Sequence, residues 1–152
     1  MSLDVVVSGE GVRAPIGRLA IRRIAGEALE AERVRNALVS ITLLDRRAMA
    51  RLNRTHLDHA GATDVISFGF HRATPHDPVV GDIYICPDVA RDNARAHGAS
   101  SREEMARLVI HGVLHILGYE HPVDESREQS KMWKRQELLL RRIAARAPGG
   151  AR

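Results

Sequence analysis

The sequence predicts an α/β (α+β) domain in which about five helices pack around a small four-stranded mixed sheet. Three observations predict it. Four short runs rich in β-branched residues alternate with longer segments whose apolar residues recur at helical spacing. Proline, glycine and capping residues separate these segments. The chain has 152 residues, 44% of them hydrophobic and 28% charged, which is ordinary for one globular domain. A single domain is expected over residues 1–147, with a flexible tail at 148–152.

Each element has its own signal. Residues 3–8, Leu-Asp-Val-Val-Val-Ser, read as a first strand. Pro15 is expected to open a helix running to about Glu32, with Leu19, Ile24 and Leu29 among its buried residues. Residues 37–44 form a second, more buried strand. Asp45 is placed to cap a helix at 46–57, where Met49 and Leu52 are apolar and Arg47, Arg51 and Arg54 make a basic face. Residues 64–70 are a third strand, and a proline-containing loop, 71–80, leads to a fourth at 81–86, ended by Pro87. A helix follows to His97 and stops at Gly98. Ser101-Arg-Glu-Glu104 reads as a capping box for a helix running to Gly118. The last helix is expected over about 124–146, with Met132, Gln136, Leu139 and Ile143 on one stripe.

Composition excludes several classes. No apolar stretch reaches the roughly 18 residues of a membrane span. The first residues, Met1-Ser2-Leu3-Asp4, lack the features of a signal peptide. One cysteine, Cys86, allows no intramolecular disulfide, fits a reducing cytoplasm and reads as a buried small apolar side chain. The net charge is +4. Residues 131–152 hold seven basic residues and one acidic, a net +6, which leaves −2 for the rest of the chain. A basic end suits a polyanion such as RNA. Aromatic residues are only 3% of the chain, too few for a base-stacking platform, so RNA contact should run from arginine to phosphate and to shape. Arg47, Arg51, Arg54 and the basic C-terminal helix are the candidates.

The chemistry is concentrated in His111-Gly-Val-Leu-His115-Ile-Leu-Gly118-Tyr-Glu-His121. His111 and His115 are four apart, so on a helix they share a face. Gly118 can take the left-handed conformation that ends a helix and turns the chain back, which brings His121 towards the pair. Three imidazoles fill three corners of a tetrahedron and leave the fourth open, the pattern of a catalytic zinc site. An isolated i,i+4 histidine pair is commonly accidental. This one sits in an apolar run, Leu108–Leu117, where two buried rings would need partners that a metal supplies. The spacing matches the extended zinc signature of metzincin proteases, except that Gly112 stands where they carry their glutamate base.

The motif from His111 to His121 resembles the hallmark of the YbeY family, zinc-dependent bacterial endoribonucleases of rRNA maturation, with Glu120 in place of the usual aspartate. Leu52-Asn53, Thr63-Asp64-Val65-Ile66-Ser67-Phe68 and Gly81-Asp82-Ile83 resemble further blocks of that family. The resemblance covers about residues 45–140. It implies one Zn2+ per chain held by His111, His115 and His121, acting through zinc-bound water, in a cytoplasmic enzyme. It also implies rRNA and the small ribosomal subunit or its assembly factors as partners, with no membrane and no DNA. The family often carries an arginine where this chain has Leu57.

Further residues enter as expectations. Asp64 and Asp82 are read as beginning strands beside the cleft, as turn residues or as supports for a ligand histidine. Glu120 is a candidate for proton transfer. His56, His59, His71, His76 and His97 are expected in solvent. Gly112 is expected to leave open space beside the metal, so that Gly112→Glu would keep zinc and lose RNA cleavage. Two rivals stand beside the endoribonuclease reading: a zinc hydrolase of a peptide or small amide, and a non-catalytic rRNA assembly factor with structural zinc.

Overall fold

Four strands, β1 (Leu3–Ser8), β2 (Ala37–Leu43), β3 (Val65–Gly69) and β4 (Val79–Ile85), form one sheet in a computed structural model that describes residues 2–120 and 130–146. Their order is β1-β2-β4-β3. β1 pairs in parallel with β2, and β2 with β4, while β3 closes the edge antiparallel to β4. Five helices accompany them among the described residues: α1 (Arg18–Ala31), α2 (Arg46–Leu57), α3 (Pro87–His97), α4 (Ser101–Ile116) and α5 (Lys131–Arg146). The α/β class, the strand number and the mixed sheet are as the sequence predicts. The expected helix start at 124 and the tail at 148–152 lie outside the described residues.

The period-two alternation of the strands divides the helices between the two faces. Ala37, Val39, Ile41 and Leu43 of β2 and Val79, Ile83 and Ile85 of β4 are buried on one face, in a core shared with α1, α4 and α5. The opposite face is covered at its β3–β4 end by α2, where Met49 packs with Ile66 and Cys86. Burial raises the Cys86 thiol pKa, which suits an inert core residue.

Three local details differ from the sequence reading. α1 starts at Arg18 behind Gly17, not at Pro15. Leu19 is 80% exposed. The buried stripe of α1 is Ile21, Ile24, Ala25, Ala28 and Leu29, and Leu19 lies two residues before it, about 200° around the helix. α4 is capped by Ser100, whose Oγ accepts from Glu103 N at 3.0 Å, one residue before the expected box. Two adjacent serines could each have served. Gly98 closes α3 in the left-handed region at φ +68°, and the short connector leaves Ser100 at the cap.

Asp45 caps α2 as expected, accepting from Ala48 N at 2.8 Å. Asp45→Ala should cost about 1 kcal/mol by removing that acceptor. A urea unfolding curve checks this, and Asp45→Asn should remain close to the parent.

Candidate metal centre and its cleft

α4 carries the histidine motif, and glycines set its position. It crosses β3 and β4 where Gly69 and Gly81 pair across the strands. A Cβ at Gly69 would lie 2.9 Å from the Ile116 carbonyl oxygen, and one at Gly81 would lie 2.9 Å from Ile116 Cγ2. The two glycines therefore let the end of α4 sit directly on the sheet. Gly112 does the same from the helix side, since a Cβ there would lie 2.7 Å from Ile83 Cγ2. Gly112 is buried against β4 and offers no open space for a substrate, so the expectation of an open side beside the metal is overturned. The lack of a side chain is a packing requirement of the α4–β4 contact.

The C-terminal end of α4 turns as the sequence predicts. Gly118 has φ +102°, its N–H donates to His115 O at 3.0 Å, and Tyr119 N–H donates to Leu114 O at 3.1 Å. These bonds form a Schellman motif. Tyr119 is then anchored, its hydroxyl donating to Glu32 Oε1 at 2.7 Å. Arg135 Nε of α5 donates to Glu32 Oε2, also at 2.7 Å. The chain thus leaves α4 from a fixed point between α1 and α5. His121 lies outside the described residues. Glu120, the last described residue before it, is exposed.

His111 is half-buried, whereas His115, one turn further on, is exposed. The expectation that both rings are buried in an apolar run is thus corrected. The run is continuous in sequence, but a helix turns its residues through every direction, and position 115 faces outward. His111 Nδ1 lies 2.7 Å from Oε1 of Gln136, and Gln136 is only 2% exposed. Gln136 Nε2 donates to Glu137 Oε2 at 3.0 Å. Arg107 donates twice to Glu137, at 2.9 and 3.2 Å, and once to Glu104 at 2.7 Å. Burial alone would lower the Arg107 pKa, but its bonds and charge contacts with Glu137 and Glu104 outweigh that and hold it above the ordinary value. Burial pushes Glu137 up, and the bonds from Arg107 and Gln136 more than reverse it, leaving its pKa below normal. Glu104 is pushed up by burial despite its Arg107 partner.

A cleft of about 950 Å³ opens beside His111. Its walls include Thr63 and Asp64 before β3, Asn93 and His97 of α3, Glu103 and Arg107 of α4, and Trp133 and Gln136 of α5. Asp64 is tied into its wall, accepting from Val65 N at 2.8 Å and from Asn93 Nδ2 at 3.0 Å. Asp82 lies elsewhere. It sits within β4, not at its start, and accepts from Ser40 Oγ at 2.6 Å on the sheet face turned away from α4. β4 starts at Val79, two residues before the expected start, and this places Asp82 inside the strand. Arg47, Arg51 and Arg54 are exposed on α2, on that same opposite face, and Leu57 ends the helix 43% exposed. All five non-motif histidines are exposed, as expected, although His97 also borders the cleft.

The sequence reading thus brings Asp64 and His111 to one cleft and misses Gln136, Arg107 and Asn93. One signal for Gln136 was available: it is the sole polar residue of the buried stripe Met132, Gln136, Leu139 and Ile143.

Among the described residues no group of three or more histidine, cysteine or acidic side chains is placed to hold a metal. They supply two nitrogen donors of the expected three, one turn apart on α4. The ring of His111 fits a metal: a proton on Nδ1, facing the Gln136 oxygen, would leave Nε2 with the lone pair that ligation needs.

Comparison with known proteins extends the match along the chain. The family model described as endoribonuclease YbeY matches residues 14–144. The endoribonuclease YbeY of Frankia alni is 35% identical, aligned over 99% of this chain and 89% of its own length. That of Kineococcus radiotolerans is 36% identical over 94% of this chain and 89% of its own. The solution structure of TM1509 from Thermotoga maritima has the same fold, with a TM-score of 0.62 over 93% of this chain and 89% of that one at 23% identity. With the histidine motif on α4, the mixed sheet beneath it and a family match over most of its length, the chain belongs to the endoribonuclease YbeY family.

Proposed function

We propose that this chain is a zinc-dependent endoribonuclease acting on single-stranded segments of rRNA during maturation and ribosome quality control, with one zinc held by His111, His115 and His121. The family gives the reaction class: hydrolysis of RNA phosphodiester bonds by a metal-dependent endonuclease. The observation that carries the finer reading is the His111 ring, set beside a large cleft with its Nδ1 2.7 Å from the buried carboxamide oxygen of Gln136. When bound, zinc would supply Lewis acidity to stabilise charge developing at the scissile phosphate. Glu120, adjacent to His121, is the proposed proton-transfer group. Partners in this reading are rRNA and the small ribosomal subunit or its assembly factors, in the cytoplasm. No helix of the described residues is long and apolar enough to cross a membrane.

A second reading, a non-catalytic rRNA assembly factor with structural zinc, draws support from the exposed Leu57 where the family often has a cation. Metal analysis combined with cleavage of a defined rRNA precursor separates the two. About one zinc per chain with precursor cleavage is expected, and stoichiometric zinc without cleavage would favour the assembly factor. Casein in place of RNA tests the peptidase rival and should remain intact.

RNA affinity should depend steeply on salt. If the basic C-terminal segment and the arginine face of α2 neutralise phosphates of a single strand, log K should fall against log salt by about 0.7 for each phosphate neutralised. Fluorescence anisotropy across a salt series reads this slope. A flat response would remove the electrostatic part of the reading.

A further inference from the structure

We infer that Gln136 is a positioning residue for the metal centre: its carboxamide holds His111 as the Nδ1–H tautomer, so that the Nε2 lone pair is presented to the metal. The inference rests on the three-histidine reading above and goes beyond it by naming what orients one ligand.

The chain of bonds leaves the carboxamide one orientation. Glu137 is fixed by two hydrogen bonds from Arg107, at 2.9 and 3.2 Å. As a carboxylate it only accepts. The Gln136 group facing it at 3.0 Å must therefore be the NH2, which turns Oε1 towards His111 at 2.7 Å. An amide oxygen also only accepts, so the ring nitrogen opposite it must carry the hydrogen. The other tautomer would need the amide to flip, placing its oxygen against the Glu137 carboxylate in a site where Gln136 is 2% exposed. Burial of Gln136 makes that flip costly, since it would set two acceptors against each other. The order Arg107, Glu137, Gln136, His111 thus passes a fixed polarity from α4 to α5 and back to α4. Such a partner also makes the ring a stronger ligand, because Nδ1–H donation raises electron density at Nε2.

Two measurements test this. The first is long-range proton–nitrogen NMR of histidine-labelled, metal-free protein at mildly alkaline pH. His111 should show the Nδ1–H pattern in the parent and lose it in Gln136→Leu. A role confined to packing would leave that pattern unchanged. The second is zinc affinity by competition with a chelator. Gln136→Leu should bind about 10–100-fold more weakly. The exchange of Gln136→Glu together with Glu137→Gln, which keeps an oxygen opposite Nδ1 without setting two carboxylates side by side, should recover most of the difference. An Nε2–H pattern in the parent, or parent-like zinc affinity in a folded Gln136→Leu, would overturn the inference. A parent that takes up no zinc would instead overturn the three-histidine reading, and the positioning role with it. The tautomer of the parent is read without any variant, so a misfolded Gln136→Leu does not remove the test.

Discussion

His115→Ala should yield folded protein that no longer retains zinc through dialysis and no longer cleaves RNA. His115 is exposed near the end of α4, and alanine is the best helix former. The loss of zinc affinity should exceed the about 10–100-fold typical of losing a ligand's hydrogen-bond partner, because the ligand itself is gone. His111→Ala should lose zinc too, but with a second effect. It strips the buried Oε1 of Gln136 of its donor, which costs about 1–3 kcal/mol in the metal-free protein. The two variants should therefore agree in metal content. Stoichiometric zinc in purified His115→Ala would show that its ring is not a ligand.

The sequence made the elements legible because their signals are local. Asp45 caps α2, Gly98 and Gly118 end their helices, and Met132, Gln136, Leu139 and Ile143 form the buried stripe of α5, all as read from spacing and residue type. The face a residue presents was legible only where a neighbouring stripe was clear. Leu19 and His115 have apolar neighbours in the sequence, yet each lies off the buried arc of its helix. Long-range partners were not legible at all. Arg107 and Glu137 are 30 residues apart, and His111 and Gln136 are 25 apart. Nothing local to either member of these pairs announces the other. Asp82 illustrates the same limit, because Ser40, 42 residues away on β2, is what holds it.

Gly112→Glu should be strongly destabilised, and this reverses what the motif suggests when its glycine is read as an empty base position. The Cβ alone would lie 2.7 Å from Ile83 Cγ2, 3.0 Å from Cδ1 and 3.2 Å from Cγ1. Ile83 is fully buried in the middle of β4 and its Cγ2 branches next to the backbone, so it has nowhere to swing. Overpacking of this kind costs about 1–3 kcal/mol before the carboxylate is counted. An unpaired charge buried between α4 and β4 adds several kcal/mol more. Against a typical domain stability of about 5–15 kcal/mol, a sum of that size takes away much of the margin and unfolds a domain at the lower end of the range. Gly112→Ala isolates the steric part. Its gain in helix propensity, about 1 kcal/mol, opposes the overpacking, so a net loss of about 0–2 kcal/mol is expected from urea curves. The contact can be assigned by a double-mutant cycle with Ile83→Ala, which removes the atoms that a Cβ would strike. Ile83→Ala alone should cost about 2–5 kcal/mol. Adding Gly112→Ala to it should cost less than in the parent, or even stabilise, giving a coupling of about 0.5–3 kcal/mol. Strict additivity, or a Gly112→Glu protein that folds and holds zinc like the parent, would mean that Gly112 does not pack against β4.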